Sequence, residues 1–261
     1  QFESYSVTAP RVSKIGIVAV CLNERQALEV TCHQLRNALH NAGLDWCAIF
    51  VDGNSTDGSV EYLREHGFDV IVQTSPGLPA ALREGLNWVI KKSCDIIVMF
   101  QPDGNCDANR LPELVSPLLD SSADVVIGSR YGQSSRSEDD SLITWCGNTL
   151  FRMLFRLRFP NSRLRDPIVG YRAFRTKLLE SLGLLEENQY RALEKVLRTS
   201  LSFDPLMTAR ALSRKLNVVE VDAPEPARIG GSPKRQSVRW GLAYSFQVIF
   251  DSLIFPKKSR D

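Results

Sequence analysis

The sequence predicts an α/β protein with a mostly parallel central sheet and helices on both faces. Short apolar runs recur four times in the first hundred residues, as strands buried on both faces do. Segments with apolar residues at helical spacing separate them. At 261 residues the chain suits one large domain, since single cores stop growing at about 250–300 residues.

The elements follow in order. KIGIVAVCL (14–22) reads as the first strand and NERQALEVTCHQLRNAL (23–39) as the first helix. WCAIFV (46–51) is a second strand, ending in DGNSTDGS, where Ser55 or Thr56 can cap the helix SVEYLREHG that stops at Gly67. FDVIVQ (68–73) is a third strand, AALREGLNWVIKK a third helix, and CDIIVMF (94–100) a fourth strand. Ligands on such sheets bind beyond the strands' carboxyl ends. CLNE, VDGNSTDG, QTSPGLP and FQPDGN are therefore the informative loops, because all four open on that edge.

Beyond them lie a helix over 109–122, a strand in ADVVIGSRYG, the polar loop SSRSEDDS and a helix over 141–160. RDPIVGYRAF (165–174) reads as a strand or turn, followed by a helix over about 176–185. FDPLMTARALSRKLN is a further helix, and VVEVDAPEP an edge strand that two prolines terminate. Residues 1–13 form an N-terminal extension, 14–236 the domain, and 237–261 a docking or membrane-surface segment. Its aromatic residues and closing PKKSR suit an interfacial helix, or equally a helix packed on its own domain or a second subunit.

Hydrophobic content of 43% and charged content of 24% exclude a disordered or fibrous chain. Net charge is only +2, but eight Lys or Arg lie between Arg152 and Lys177 against the single acid Asp166. Arg228, Lys234, Arg235 and Arg239 form a second basic stretch, so an anion can sit between the two. No recognisable module with stacking aromatics accompanies them, which argues against nucleic acid. The six cysteines contain no CxxC pair, pointing to a reducing compartment and no zinc site. The first twelve residues lack the apolar core of a signal peptide, and no stretch reaches the ~20 apolar residues of a membrane span. The expectation is a cytoplasmic protein, soluble or peripheral on the membrane face.

FQPDGN projects the oxygens of Gln101, Asp103 and Asn105 from one turn. Magnesium and manganese take such oxygens, and one carboxylate suffices where a diphosphate supplies the remainder. The same turn also serves as an Asx cap for the next helix. Glu24 and Asp52 end the first two strands, placed either to accept from ribose or base groups or to cap a helix. SPGLPAALREG matches neither the dinucleotide fingerprint nor the Lys-Ser/Thr phosphate loop, which counts against dehydrogenases and nucleoside triphosphatases.

Taken together, the loops resemble the family 2 glycosyltransferases of GT-A fold, in the branch of dolichyl-phosphate mannose synthases and bacterial polyprenyl-phosphate glycosyltransferases. The family's opening P-T-Y-N-E appears as VCLNE (20–24), and its VDDGSTDGT as VDGNSTDGS (51–59). Its glycine loop matches Gly77, Ala80 and Gly85, and its metal motif falls on QPDGNC. GSRY (128–131) matches outright, D-x-x-S-G-F/Y-R matches DPIVGYR (166–172), and R-x-G-x-S-K matches RIGGSPK (228–234). These seven motifs cover about residues 14–235. PDGN in place of the two-aspartate motif is similar to a bacterial subgroup.

The resemblance implies a metal-dependent inverting glycosyltransferase using Mg2+ or Mn2+ and a UDP- or GDP-sugar donor. It places Leu22, Glu24, Asp52, Gly77, Gln101, Pro102, Arg228 and Lys234 at the donor, with Asp103, Asn105 and Gln101 at the metal. Asp103, Asp166 and Arg130 carry the chemistry, Asp166 as the candidate base, and Arg130 and Arg172 face the acceptor. The implied acceptor is polyprenyl phosphate at a membrane surface, in a protein able to form homo-oligomers. The pattern departs at Gly53, which replaces the second Asp of VDD, at Gln101, which replaces the first metal Asp, and at Asn148, where lipid-phosphate enzymes have Arg. Asn148 makes a saccharide or small-molecule hydroxyl the alternative acceptor. The missing carboxylates leave a non-catalytic nucleotide-sugar binding module as a reading of another class.

Overall fold

The computed structural model describes residues 13–132, 137–138, 142–186, 194–196, 198, 202–230 and 237–254. Residues 15–100 alternate as their periodicity demands. Strands β1 (Ile15–Cys21), β2 (Trp46–Asp52), β3 (Asp69–Val72) and β4 (Ile96–Phe100) are separated by helices α1 (Arg25–Asn41), α2 (Ser59–Glu65) and α3 (Leu78–Lys91). A 3-10 turn, Ala108–Arg110, leads into α4 (Leu111–Leu119). Strand β5 (Val125–Ser129), helix α5 (Leu142–Arg158), strand β6 (Arg172–Arg175), the short α6 (Leu178–Ser181), α7 (Asp204–Ser213), strand β7 (Val218–Asp222) and α8 (Ser237–Ile254) follow.

The sheet runs β3-β2-β1-β4-β6-β5-β7. All neighbours are parallel except β6, which lies antiparallel between β4 and β5. Chain order reverses between β1 and β4, so a crevice opens at their carboxyl ends, between Leu22–Glu24 and Gln101–Asn105. Strands β1, β4 and β5 are almost wholly buried, which explains their uninterrupted apolar sequences. Helix α3 lies so close to the sheet that a Cβ on Gly85 would stand 2.5 Å from Val18 Cγ1.

Three local expectations change. Helix α2 starts at Ser59 behind Gly58 (φ +85°), and Asp57 Oδ1 accepts from Ser59 N at 3.0 Å, so neither Ser55 nor Thr56 caps it. Both are committed elsewhere: Ser55 to Asp52, and the Thr56 amide to Asn23 Oδ1 at 2.8 Å. The helix expected over 176–185 shrinks to α6, because Gly183 turns left-handed (φ +61°). The ambiguous 165–174 segment delivers a strand only from Arg172.

The C-terminal helix packs on its own domain. Ala243, Tyr244 and Val248 are buried, and the Tyr244 ring meets Phe151 of α5 edge-on with centroids 6.4 Å apart. The Tyr244 hydroxyl accepts from Ser202 N, and Arg210 of α7 pairs with Asp251 at 2.7 Å. The outer sides of α5 and α8 are apolar and exposed, through Leu142, Trp145, Leu150, Met153 and Leu157 on one and Leu242, Phe246 and Ile249 on the other.

Candidate active site

One wall of the crevice is built by the first two strand exits. Asp52 is fully buried, and its carboxylate accepts from Ser55 N at 2.7 Å and Ser55 Oγ at 2.5 Å. Through Ser55 it shapes the VDGNSTDGS loop. Asn23 takes a left-handed φ of +54°, with its amide donating to Ser55 Oγ at 2.7 Å and its side-chain oxygen accepting from Thr56 N. Leu22 and Glu24 flank it on the β1 exit; the Glu24 amide donates to Ser59 Oγ at 3.2 Å. Gly77, at φ +101°, turns the third loop into α3.

FQPDGN is a compact turn. Asp103 Oδ1 accepts from Asn105 N at 3.1 Å, as in an Asx turn, while Gly104 takes φ +94°. The Pro102 carbonyl accepts from Thr31 Oγ1 at 3.3 Å, tying the turn to α1. Gln101 is exposed and lies over Gly170, where a Cβ would stand 3.2 Å from its amide nitrogen. Asn105 is buried beneath.

Onto this turn folds the segment following β7. Arg228 Nη1 donates to Asp103 Oδ2 at 2.6 Å and its Nη2 donates to Glu24 Oε1, so one guanidinium bridges the exits of β4 and β1. Glu24 and Arg228, expected at the donor, and Asp103, expected at the metal, therefore converge. Lys234 lies outside the described residues.

The donor set fits a hard divalent cation. One turn carries the Asp103 carboxylate and the amides of Gln101 and Asn105, oxygen groups of the kind such a cation takes, and no group of three or more His, Cys, Asp or Glu that could hold a metal exists among the described residues. A cation here would complete its shell from a bound diphosphate, the usual arrangement for magnesium.

At the exit of β5, Arg130 and Asp166 form a buried two-point ion pair, Nε to Oδ2 at 2.7 Å and Nη2 to Oδ1 at 2.9 Å. The Arg130 amide donates to Oδ2 as well, at 3.1 Å. Burial alone would lower the Arg130 pKa; the Asp166 charge and hydrogen bonds outweigh it and push it up. Glu225 lies 3.5 Å from Arg130 Nη1 and accepts from Ser137 Oγ. Glu220 accepts from the Arg165 and Asp166 amides, and burial pushes its pKa up. Asn148 donates to the Tyr131 hydroxyl at 2.5 Å.

Asp166, the candidate base, has both carboxylate oxygens engaged by the Arg130 guanidinium. Arg172 does not face an acceptor: it is fully buried, donating to the Val169 and Asp204 carbonyls and to Thr208 Oγ1, and paired with Asp204 at 3.3 Å. Burial pulls its pKa down while Asp204 opposes the fall. It fastens β6 to α7. Sequence reading missed Glu225, whose signal was an acid caught between two prolines in PEP. It also missed Ser55 as the partner of Asp52.

The solved structures agree in fold. Glucosyl-3-phosphoglycerate synthase from Mycobacterium tuberculosis, in complex with Mn2+, UDP and phosphoglyceric acid, aligns over 95% of this chain and 80% of its own with a TM-score of 0.59 and 22% identity. The sheet and its helices are those of the GT-A fold. An uncharacterised glycosyltransferase of the same organism is 29% identical over 220 residues, 84% of this chain and 88% of that one. The undecaprenyl-phosphate mannosyltransferase of Micrococcus luteus is 27% identical over 237 residues, 85% of this chain and 91% of that protein. Glycosyl transferase family 2 matches residues 16–183, which span β1 to β6 and so both sides of the crevice; the chain belongs to that family.

Proposed function

We propose that this glycosyltransferase moves a sugar, with inversion, from a nucleoside-diphosphate donor to the phosphate of a polyprenyl-type lipid at a membrane surface. The observation that carries the choice of acceptor is the two-point capture of Asp166 by Arg130. A sugar hydroxyl needs a base to take its proton, whereas a phosphate arrives ionised and needs only a cation to orient it. Arg130, held in place by Asp166 and Glu225, is that cation.

An acceptor oxygen attacks the anomeric carbon from the face opposite the leaving nucleoside diphosphate. Arg228 stands at the leaving side to take its developing charge. A divalent ion held by Asp103, with Asn105 and Gln101 beside it, supplies further electrostatic stabilisation of the diphosphate when bound. The loop built by Asp52 and Ser55 holds the nucleoside, and Gly77 and Pro102 shape the walls. The presence of UDP and Mn2+ in the fold neighbour supports this donor class.

The exposed faces of α5 and α8 support a membrane location. Leu157 is 80% exposed and Phe246 50%, with Arg156 and Arg158 exposed beside the first and Lys257, Lys258 and Arg260 following the second in sequence. Apolar side chains rimmed by cations suit an anionic lipid surface. Among the described residues no helix is long and apolar enough to cross the bilayer. The name of the Micrococcus relative points the same way.

The second reading, transfer to a hydroxyl, is favoured by Asn148, a neutral side chain bound to Tyr131 where a phosphate would profit from Arg. The two are separated by incubating labelled UDP- and GDP-sugars with undecaprenyl phosphate or with free saccharides. Label extracted with the lipid supports the proposal; label appearing only in saccharide products sinks it.

A further inference from the structure

Glu24 and Asp103 end neighbouring strands and share one cation. Arg228 reaches both, across 204 and 125 residues of chain. The segment that carries it is pinned over the crevice: Ala223 N donates to the Ser129 carbonyl at 3.0 Å, and Ile229 N to the Asp103 carbonyl at 2.9 Å. Gly104 allows the closure, since a Cβ there would lie 2.7 Å from Ile229 Cγ1. The three charged side chains are only 7–15% exposed. In a site so poorly hydrated, two carboxylates without a counter-charge are costly. The Arg228 Nε is also buried and has no acceptor among the described residues, so the guanidinium carries a donor that its carboxylates leave unused.

We propose that Arg228 is a resident counter-ion of the donor pocket, and that its release from Glu24 and Asp103 couples cation binding to diphosphate binding. This rests on the donor reading above. Nη1 already donates to the Asp103 oxygen a divalent ion would take, so a cation entering alone displaces a positive group or sits against it. A diphosphate entering alone draws the guanidinium away and leaves both carboxylates uncompensated. When the two enter together, the cation takes the carboxylate, the diphosphate takes the guanidinium with its spare Nε–H, and both costs vanish. By reciprocity each ligand strengthens the other equally.

The test is Mn2+ binding to the full chain without nucleotide, read from the electron paramagnetic resonance signal of free Mn2+, beside calorimetry of UDP and GDP with and without Mn2+. The wild type should bind Mn2+ alone weakly, and Arg228→Gln should bind it about tenfold tighter while the mutual enhancement shrinks. Unchanged or weaker Mn2+ binding by R228Q overturns the proposal. Should R228Q fail to fold, Arg228→Lys decides, because it keeps the charge without the fork that spans two carboxylates: tighter Mn2+ binding than wild type supports the proposal, equal or weaker binding overturns it. Adding Asp103→Asn to the tighter variant should erase the gain, and a gain that survives also overturns it. If wild type binds neither UDP nor GDP under any metal condition, the donor reading fails, and the Mn2+ comparison still judges the counter-ion.

Discussion

Arg130 grips Asp166 through two guanidinium nitrogens, at 2.7 and 2.9 Å, with both side chains under 10% exposed. The pair joins the exit of β5 to the loop entering β6. Removing one partner leaves a buried charge behind, so Asp166→Ala should cost about 3–5 kcal/mol in urea unfolding. An Arg130→Met, Asp166→Ala double variant should recover part of that loss. A cycle with no coupling would show that the pair holds nothing.

On the proposed mechanism Asp103→Ala should leave the sheet intact and lower kcat/KM at least ~100-fold, the effect of losing several kcal/mol of leaving-group stabilisation. Chelation of wild-type protein should produce a comparable loss that added Mn2+ reverses. Circular dichroism and steady-state kinetics check it, and an active D103A protein in chelator would refute the role.

Gly85→Ala tests how closely α3 approaches the sheet. The added methyl would stand 2.5 Å from Val18 Cγ1 and 3.1 Å from Val51 Cγ2. Overpacking of this kind costs about 1–3 kcal/mol. The loss should appear as a lower denaturation midpoint with an unchanged m-value.

Leu157→Glu combined with Phe246→Glu should weaken sedimentation with anionic vesicles without lowering the denaturation midpoint, because both side chains are exposed. Activity on a short water-soluble acceptor should persist. Equal vesicle binding by the variant would remove α5 and α8 from the lipid contact.

The Cys47 and Cys94 sulfurs lie 3.4 Å apart. Their hydrogen bond, aided by Lys14 and Lys92 against burial, holds the Cys47 thiol down to about 7 from an ordinary 9.0. The thiolate, which is the reactive form, is therefore favoured at lower pH than in an ordinary cysteine. Alkylation of Cys47 by iodoacetamide should rise with pH through about 7, and Cys94→Ala should move the midpoint upward. Peptide mapping by mass spectrometry reads both, and a midpoint near 9 in the wild type would contradict the pairing.

The first half of the sheet and the crevice at its edge were legible because their information is local. Strands β1 to β4 each announce themselves by an apolar run, and Glu24 and Asp103 follow directly at their ends. The rest depends on partners distant in sequence. Nothing near Arg172 distinguishes a guanidinium aimed at a ligand from one buried under α7, and only the antiparallel insertion of β6 decides it. The same holds for Asp166: its neighbours in DPIVGYR suggest a reactive acid, while its captor lies 36 residues earlier. Ser55 looked like a helix cap because a cap is the nearest use for a hydroxyl before a helix. Asp52, three residues back and fully buried, was the stronger claimant.

The strap carrying Arg228 has a consequence for the order in which the molecule is made. Chains emerge from the ribosome N-terminus first and begin to fold as they emerge. Glu24 and Asp103 are synthesised 204 and 125 residues ahead of the guanidinium that neutralises them. Every strand of the sheet precedes it too. A nascent chain can therefore complete its hydrophobic framework while the edge of that framework still holds two like charges close together. The bridge between the two carboxylates forms only once Arg228 is made, so assembly of this edge is a late event, separable from assembly of the fold.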